Sequence, residues 1–332
     1  MATHERLQAL VEAYGPSGQE DEIRETFQSM LGDLPSVMDA KGNLLIGEIE
    51  RPRIVVTAHL DEIAMMVKAI EPSGRLRVAP LGGLHPWKLG EGPVEILASE
   101  ERMPGALSFG GIHTEDPRSP SVQAKRSGLE WPHAMVVTGR APYDLMEAGV
   151  RPGSRVVVAK PRRQLWNVGS LVCGHFLDDR ADLLSMLLTI EKIGLPEGVL
   201  FAATASEEVG GEGGLWILNR TMPEVCIALE LGPNVPDAPV ALTDSPTVWV
   251  NDSYAAMAAR DIDLMASLLP DAQWQHLSRG GSDASCAASR GVVARPFTLG
   301  LPMESSHGFE IMHENAPERL AQATADLLAA LS

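Results

Sequence analysis

The spacing of apolar residues predicts that two amphipathic helices open the chain. Residues 7–14 carry apolar side chains at helical spacing, and residues 23–31 do so again after a break with the sequence GPSGQE. Within that break, Ser17 and Glu20 have the three-residue spacing of a capping box. We therefore expect these two side chains to cap the second helix.

Later segments alternate between strand-like and helix-like patterns. The runs RIVVTAHL, VLFAATA and VCIALEL are rich in apolar residues and short enough for strands covered on both faces. The segment DDRADLLSMLLTIEKI is apolar around nearly its whole circumference, which predicts a buried helix. Such an alternation predicts an α/β fold with helices on both faces of a sheet.

Residues 70–165 follow a different pattern. Short alternating segments such as RLRVAP and SRVVVAK are separated there by Gly, Pro and charged residues. We interpret them as a small β-rich domain inserted into a discontinuous catalytic domain of residues 1–69 and 166–332.

Composition narrows the class of protein. The chain has 332 residues, of which 45% are hydrophobic, with no apolar run long enough for a membrane span, and a formal net charge of −17. That charge repels nucleic-acid phosphates and anionic lipid, so neither is an expected partner. The amino-terminal residues lack the features of a secretory signal, which favours a cytoplasmic location. Three isolated cysteines are expected to be buried free thiols.

Acidic and imidazole side chains follow the predicted strands. They are found in HLDE at residues 59–62, LDD at 177–179, SEE at 206–208, and at Glu230 and His307. The carboxyl ends of strands in such a sheet form the crevice where ligands bind. Carboxylates packed together there need a cation, and nitrogen and oxygen donors without thiolates suit zinc, cobalt or manganese. The sequence therefore predicts a metal site.

The adjacent carboxylates Glu207 and Glu208 are expected to have different roles. If they end a strand, their side chains point to opposite sides, so one can bind metal while the other faces the substrate. A metal lowers the pKa of its bound water to about 7, and a free carboxylate nearby can take the proton during attack on a carbonyl. The glycines of VGGEGG would let the backbone turn sharply.

The chain resembles the cytosolic dinuclear-metal aminopeptidases, which include bacterial glutamyl aminopeptidase and the archaeal tetrahedral (TET) aminopeptidases. The resemblance covers almost the whole chain and rests on motifs in a fixed order: GPSGQE, AHLDEI, FLDDRAD, SEEVGGEGG, IALELG, GGSDA and LPMESSHG. It implies two divalent metal ions per subunit, zinc or cobalt, with manganese as a further option. His59 and Glu230 would bind one ion, Glu208 and His307 the other, and Asp178 would bridge them.

The resemblance also implies that Glu207 is the general acid and base, and that Asp61 holds the imidazole of His59. The implied fold is a central mixed sheet flanked by helices, as in zinc peptidases, with an inserted domain resembling a small β-barrel that aids oligomerisation or covers the site. Homo-oligomers, either dimers or tetrahedral dodecamers, are the implied assemblies.

The chain departs from the family pattern at several positions. The family usually has Asp where Glu230 stands, and often Arg and Tyr where Glu304 and Ser305 stand, so metal position and substrate contacts can differ. Asp182 replaces a usual glycine in DDRAD. We expect its side chain to face solvent, the alternative being that it attracts a basic substrate terminus.

These observations favour a metallo-aminopeptidase that removes N-terminal residues from short peptides with a metal-bound hydroxide and Glu207 as base. A deacylase of small N-acyl amino acids on the same scaffold is the nearest alternative. Glycoside hydrolysis by paired carboxylates would leave His59 and His307 without a role. A non-catalytic assembly protein would not need all these side chains.

Overall fold

The computed structural model of the protein describes residues 2–332, which form ten α-helices and seventeen strands. The helices are α1 (Thr3–Glu12), α2 (Asp21–Met30), α3 (Pro86–Leu89), α4 (Pro120–Ser127), α5 (Pro142–Glu147), α6 (Leu177–Ile193), α7 (Glu212–Thr221), α8 (Ala259–Leu268), α9 (Asp283–Ser289) and α10 (Ala316–Leu331). The strands are β1 (Ser36–Met38), β2 (Leu44–Gly47), β3 (Ile54–His59), β4 (Ala64–Ile70), β5 (Leu76–Leu81), β6 (Gly92–Leu97), β7 (Arg102–Ser108), β8 (Met135–Val137), β9 (Arg155–Val158), β10 (Trp166–Val168), β11 (Leu171–Gly174), β12 (Val199–Thr204), β13 (Val225–Pro233), β14 (Thr247–Asn251), β15 (Gln273–His276), β16 (Arg295–Glu304) and β17 (Glu310–His313).

The chain divides into two compact units. One, which we call the sheet unit, contains the residues up to Glu62 together with Leu165–Ser306 and Glu310–Ser332. The other, the barrel unit, contains Ile63–Gln164 and the three residues His307–Phe309.

An eleven-stranded mixed sheet organises the sheet unit. Its main path runs in the order β1-β2-β12-β3-β13-β16-β17-β11-β10, and β14 and β15 extend it from β16. The four adjacent strands β12, β3, β13 and β16 are parallel, whereas their neighbours on either side are antiparallel. The predicted α/β fold with a central mixed sheet is therefore confirmed.

Burial explains why these segments form the centre of the unit. Every residue of β3 and β12 is buried, as expected for parallel strands covered on both faces. Helix α6 packs against β3 and β13, and α1 and α10 cover its other sides. The prediction of a helix buried around its whole circumference is confirmed, since residues 177–187 are all buried.

The barrel unit is built around a closed barrel of six strands in the order β4-β5-β8-β7-β6-β9. Along β5, Leu76 and Val78 are buried while Arg77 between them is exposed, which is the alternation expected of a strand with one face in a core. Closure pairs every strand of the barrel on both sides and leaves no open edge. The expected β-barrel-like domain is confirmed in its architecture.

Two local predictions are wrong. Helix α2 begins after Glu20, which is itself the N-cap residue and whose side chain makes no capping bond, so the predicted capping box is wrong. Strand β13 extends to Pro233, so Glu230 lies inside this strand and does not follow it.

Among residues 2–332, no helix has both the length and the apolar character needed to cross a lipid bilayer.

Candidate metal centre

The parallel strands of the sheet bring several predicted site residues to one edge. His59 is the last residue of β3 and lies beside Thr204, the last residue of β12. Glu230 lies on β13, the other neighbour of β3. Because parallel strands end at the same edge, the loop after β12 also starts there.

Four buried side chains form a cluster at this edge. His59, Asp178, Asp179 and Glu230 each offer a ligand atom, and these atoms all lie within 4.8 Å of one another. His59 Nε2 is 3.2 Å from Asp178 Oδ1. Three of the four were proposed as ligands from the sequence, and Asp179 is an addition.

The start of α6 holds the aspartates of this cluster. The backbone N–H of Asp178 donates to Glu310 Oε2 at 3.0 Å, which ties the start of α6 to β17. The carboxylate of Asp179 accepts from the backbone N–H of His59 at 2.6 Å. The end of β3 and the start of α6 are therefore joined by a direct bond.

Asp61 contacts both His59 and the loop after β12. Its backbone carbonyl lies 2.9 Å from His59 Nδ1, whereas its carboxylate is 3.5 Å from the same nitrogen. The carboxylate instead accepts the backbone N–H groups of Glu207 at 2.7 Å and of Glu208 at 3.2 Å. Asp61 thus orients the two glutamates as well as the imidazole.

Glu207 and Glu208 lie in a loop, because β12 ends at Thr204. The expected explanation of their different roles by strand alternation is therefore wrong. An oxygen of Glu208 lies within 4.8 Å of one from Asp178. Burial raises the pKa of Glu207 well above its usual value, and the charges of Asp283, Glu208 and Asp61 add to the effect while His59 opposes it.

The glycines after this loop allow close packing at the start of α7. A Cβ on Gly213 would lie 2.1 Å from the carbonyl oxygen of Ala205, and one on Gly214 would lie 2.1 Å from Asp283 Oδ1. Any larger residue at either position would displace the backbone or the carboxylate. These two glycines therefore permit a close approach at the start of α7.

The cluster carries more negative charge than nearby cations neutralise. Burial and then repulsion from Asp182 raise the pKa of Asp179 well above its usual value, and burial and then the charge of Glu207 do the same to Glu230. The guanidinium of Arg180 is directed to Glu62 Oε2, at 2.7 Å, and to the carbonyl oxygen of Leu60. The charge of Arg180 is therefore paired with that of Glu62.

Asp182 is fully buried, so the expectation that it faces solvent is wrong. Burial raises its pKa to about 7, and the charge of Asp178 contributes. No hydrogen-bond donor in residues 2–332 reaches either of its carboxylate oxygens, and Asp179 Oδ1 is in the same position. Such acceptors are normally paired when they are buried.

The donor set fits divalent cations. One imidazole and several carboxylates converge without a thiolate, which suits zinc, cobalt or manganese. A cation among them would also compensate the repulsion and the missing hydrogen-bond donors just described. Both the types of donor atom and the uncompensated negative charge therefore fit the metal ions that the sequence predicts.

His307 lies in a short segment of the barrel unit. Its Nδ1 is 3.1 Å from the carbonyl oxygen of Gly83, and a Cβ on Gly83 would lie 2.7 Å from the imidazole ring. Gly83 therefore leaves the space that this ring occupies. The proposed role of His307 as a ligand of a second metal stays a prediction.

Several residues at this edge were not identified from the sequence as part of the site. Asp179 could have been suspected, because it adjoins Asp178 in LDD. Glu310 and Glu20 offered no signal, since each acts on a segment more than a hundred residues away: Glu310 on Asp178 and Glu20 on Ser206.

Comparisons with known proteins identify the class. The model of the family described as M42 glutamyl aminopeptidase matches residues 42–322. The chain belongs to this family, and the prediction of an enzyme of the aminopeptidase class is confirmed at that level.

Individual relatives share less than a third of their aligned residues with this chain, and a solved structure shows a similar fold. SgcX of Escherichia coli (strain K12) is 28% identical over 55% of this chain and 48% of its own length. Lysyl aminopeptidase of Pyrococcus furiosus is 27% identical over 70% of this chain and 67% of its own length. The solved TET1 peptidase of Pyrococcus horikoshii covers 98% of this chain and 99% of its own, with 24% identity and a TM-score of 0.85.

Proposed function

We propose that the protein is a metal-dependent aminopeptidase that removes N-terminal residues from short peptides. Membership of the M42 family supports the reaction class. The observation that carries the proposal is the buried cluster of His59, Asp178, Asp179 and Glu230, since bound cations would stabilise its carboxylates in their ionised form.

The proposed ligands form two overlapping sets. His59, Asp178 and Glu230 hold one divalent ion, and Asp178, Glu208 and His307 hold the second. Zinc or cobalt is the proposed metal, with manganese as a further option. When bound, the ions supply activation of water and polarisation of the scissile carbonyl.

Glu207 is the proposed general base and acid. It takes a proton from the attacking water and passes it to the departing amine, so that its carboxylate is regenerated in each cycle. The bond from its backbone N–H to Asp61 supports this role, because it fixes the residue beside the cluster. The neighbouring Glu208 would then act as a metal ligand.

The test is the substitution Glu207→Gln, which keeps the shape of the side chain and removes its basicity. We expect kcat to fall by about 10²–10⁴-fold while the bound metal per subunit is unchanged. Glu212→Gln is the control, because Glu212 begins the nearby α7 but is half exposed and pairs with Lys41. Full activity of the Glu207 variant would show that another group is the base.

A substrate panel separates this function from deacylation of N-acyl amino acids. Metal-stripped protein should be inactive, and refilling with zinc, cobalt or manganese should restore hydrolysis of aminoacyl anilides. A deacylase would cleave N-acetylated amino acids and ignore the anilides. Turnover that persists after complete metal removal would exclude both readings.

We also propose that the protein forms a homo-oligomer. Support comes from the P. horikoshii relative, whose description states assembly into a tetrahedron or a large octahedral shell. Light scattering coupled to size exclusion should then give a mass that is a multiple of the 35.6 kDa subunit. A dimer or a dodecamer would agree with the proposal, and a monomer at micromolar concentration would contradict it.

A further inference from the structure

Three consecutive backbone N–H groups of the loop that carries Glu207 are held by only two carboxylates. Ser206 N–H donates to Glu20 Oε1 at 3.1 Å, and the N–H groups of Glu207 and Glu208 donate to the two oxygens of Asp61. The path of the loop is therefore fixed by side chains from distant parts of the chain. Charge-assisted bonds of this kind are stronger than neutral ones.

Ser206 is the residue at which the backbone most needs this support. Its φ is 57°, in the left-handed region that residues other than glycine rarely adopt. Holding such a residue there costs on the order of 1 kcal/mol. Glu20 Oε1 accepts its N–H and also its hydroxyl, each at 3.1 Å, so both polar groups of Ser206 are bound in this conformation.

The turn that contains Glu20 is itself tied to Asp61. Gly18 N–H donates to Glu20 Oε1 at 2.6 Å, and the hydroxyl of Ser17 donates to Asp61 Oδ2 at 2.6 Å. Ser17, Glu20 and Asp61 are all buried, with exposed fractions of 2%, 5% and 0%. We call these three residues the loop clamp.

The clamp explains a motif that capping does not. Ser17 and Glu20 have the spacing of a capping box, yet Glu20 is itself the N-cap residue of α2 and its side chain makes no capping bond. A buried carboxylate is unfavourable unless its hydrogen bonds are satisfied. Here the carboxylate of Glu20 accepts bonds from Ser206, in the loop that carries Glu207. Ser206 lies 186 residues after Glu20 in the chain.

We propose that Glu20 and Ser17 are positioning residues for Glu207. They act through Ser206 and Asp61 and do not touch the substrate or take part in proton transfer. Their effect is to hold the backbone of residues 206–208 in the one path that aims Glu207 at the metal centre. The inference rests on the proposed role of Glu207 as the base.

The test compares Glu20→Ala with Glu20→Gln. Alanine removes the shared acceptor, so we expect kcat to fall by about 10–100-fold, the size typical of a misplaced catalytic group. KM should stay within about twofold of wild type, and the ion proposed at His59, Asp178 and Glu230 should be retained, because these three residues lie outside the loop. Glutamine keeps an acceptor oxygen at the same position and should restore most of kcat.

Hydrogen exchange distinguishes a role of Glu20 in positioning the loop from a role in stabilising α2. In Glu20→Ala, the amides of residues 206–208 should exchange faster, while those of α2 keep their wild-type rates. Glu25→Ala is the matched control, because Glu25 is an exposed glutamate on α2. It should leave both kcat and exchange unchanged.

A second variant covers the case in which Glu20→Ala does not fold. Ser17→Ala removes the hydroxyl bond to Asp61 and should lower kcat by about 3–10-fold, with KM unchanged. Wild-type kcat in both alanine variants would overturn the inference, and so would an equal loss in Glu20→Gln and Glu20→Ala. Full activity of Glu207→Gln would instead overturn the role of Glu207.

Discussion

At the scale of single residues, the main feature of this protein is an excess of buried carboxylates that face one another. Asp179 and Asp182 lie three positions apart at the start of α6, and no donor in the described part of the chain, residues 2–332, reaches three of their four oxygens. An ionised pair in that position repels itself and its neighbours. Metal ions offset this repulsion, and without them it destabilises the folded state.

Asp182→Asn should therefore make the metal-free protein more stable. The substitution removes one negative charge and supplies an amide that can donate to Asp179 Oδ1, so we expect a gain of about 1–3 kcal/mol in the free energy of unfolding. The measurement is a urea midpoint in the presence of a chelator at about pH 8, above the pKa of about 7 of the Asp182 carboxyl.

The same variant should hold metal less tightly, because less negative charge remains to be neutralised. Competition against a fluorescent chelator gives this affinity directly. Asp33→Asn serves as the control, because Asp33 is an exposed aspartate that is distant in sequence from Asp182. A metal-free Asp182→Asn protein that unfolds more easily than wild type would contradict the proposed repulsion.

At the scale of elements, α6 positions the metal centre from within the core. Its first residues include Asp178 and Asp179, while the following turns are buried against β3, β13 and α10. Asp178 and Asp179 have non-helical backbone angles at a kink, and the segment that carries them leads directly into the regular turns that are packed in the core. Packing of this kind lets a cluster of like charges keep its geometry.

Leu184→Ala tests how much of this positioning depends on packing. Leu184 is fully buried, so its truncation should lower the free energy of unfolding by about 2–5 kcal/mol. Leu188→Ala on the same helix is the control, because Leu188 is only partly buried and should lose less. Equal urea midpoints for the two variants would show that α6 is not held by its core face.

The elements that could be predicted from sequence are those whose pattern is local. The unbroken apolar runs of β3 and β12 predict strands covered on both faces, and their parallel pairing follows from the helix between them. His59 at the end of β3 could therefore be placed at the site edge.

Features that depend on distant partners could not be predicted. The spacing of Ser17 and Glu20 suits a helix cap equally well, and only the folded chain brings Glu20 to Ser206. Aspartate is usually found at the surface, yet Asp182 is buried because it lies on a helix whose first turns are covered on every side. Local pattern also placed the end of β13 too early, because a glutamate rarely continues a buried strand.

At the scale of the whole molecule, the formal net charge of −17 arises entirely in the sheet unit, because the barrel unit has 14 Lys and Arg residues against 10 Asp and Glu residues. The three cysteines of the sheet unit lie on β11, β13 and α9 and are all buried, as expected from the sequence. Burial raises the pKa of Cys173 and Cys226, and burial with nearby acidic charges raises the pKa of Cys286 to about 12. These thiols can therefore report opening of the sheet unit.

Metal removal should loosen the whole sheet unit and not only the site. Divalent ions that bind the folded state alone stabilise it by mass action, about 2.7 kcal/mol at a hundredfold excess over Kd. We therefore expect chelation to lower Tm by several degrees and to speed the reaction of the three cysteines with a thiol reagent. Refilling with zinc or cobalt should reverse both changes, whereas magnesium, which binds poorly to imidazole, should not. If the chelator changed neither Tm nor the rate of thiol reaction, bound metal would not stabilise this fold. The cluster of buried carboxylates would then be stable without cations.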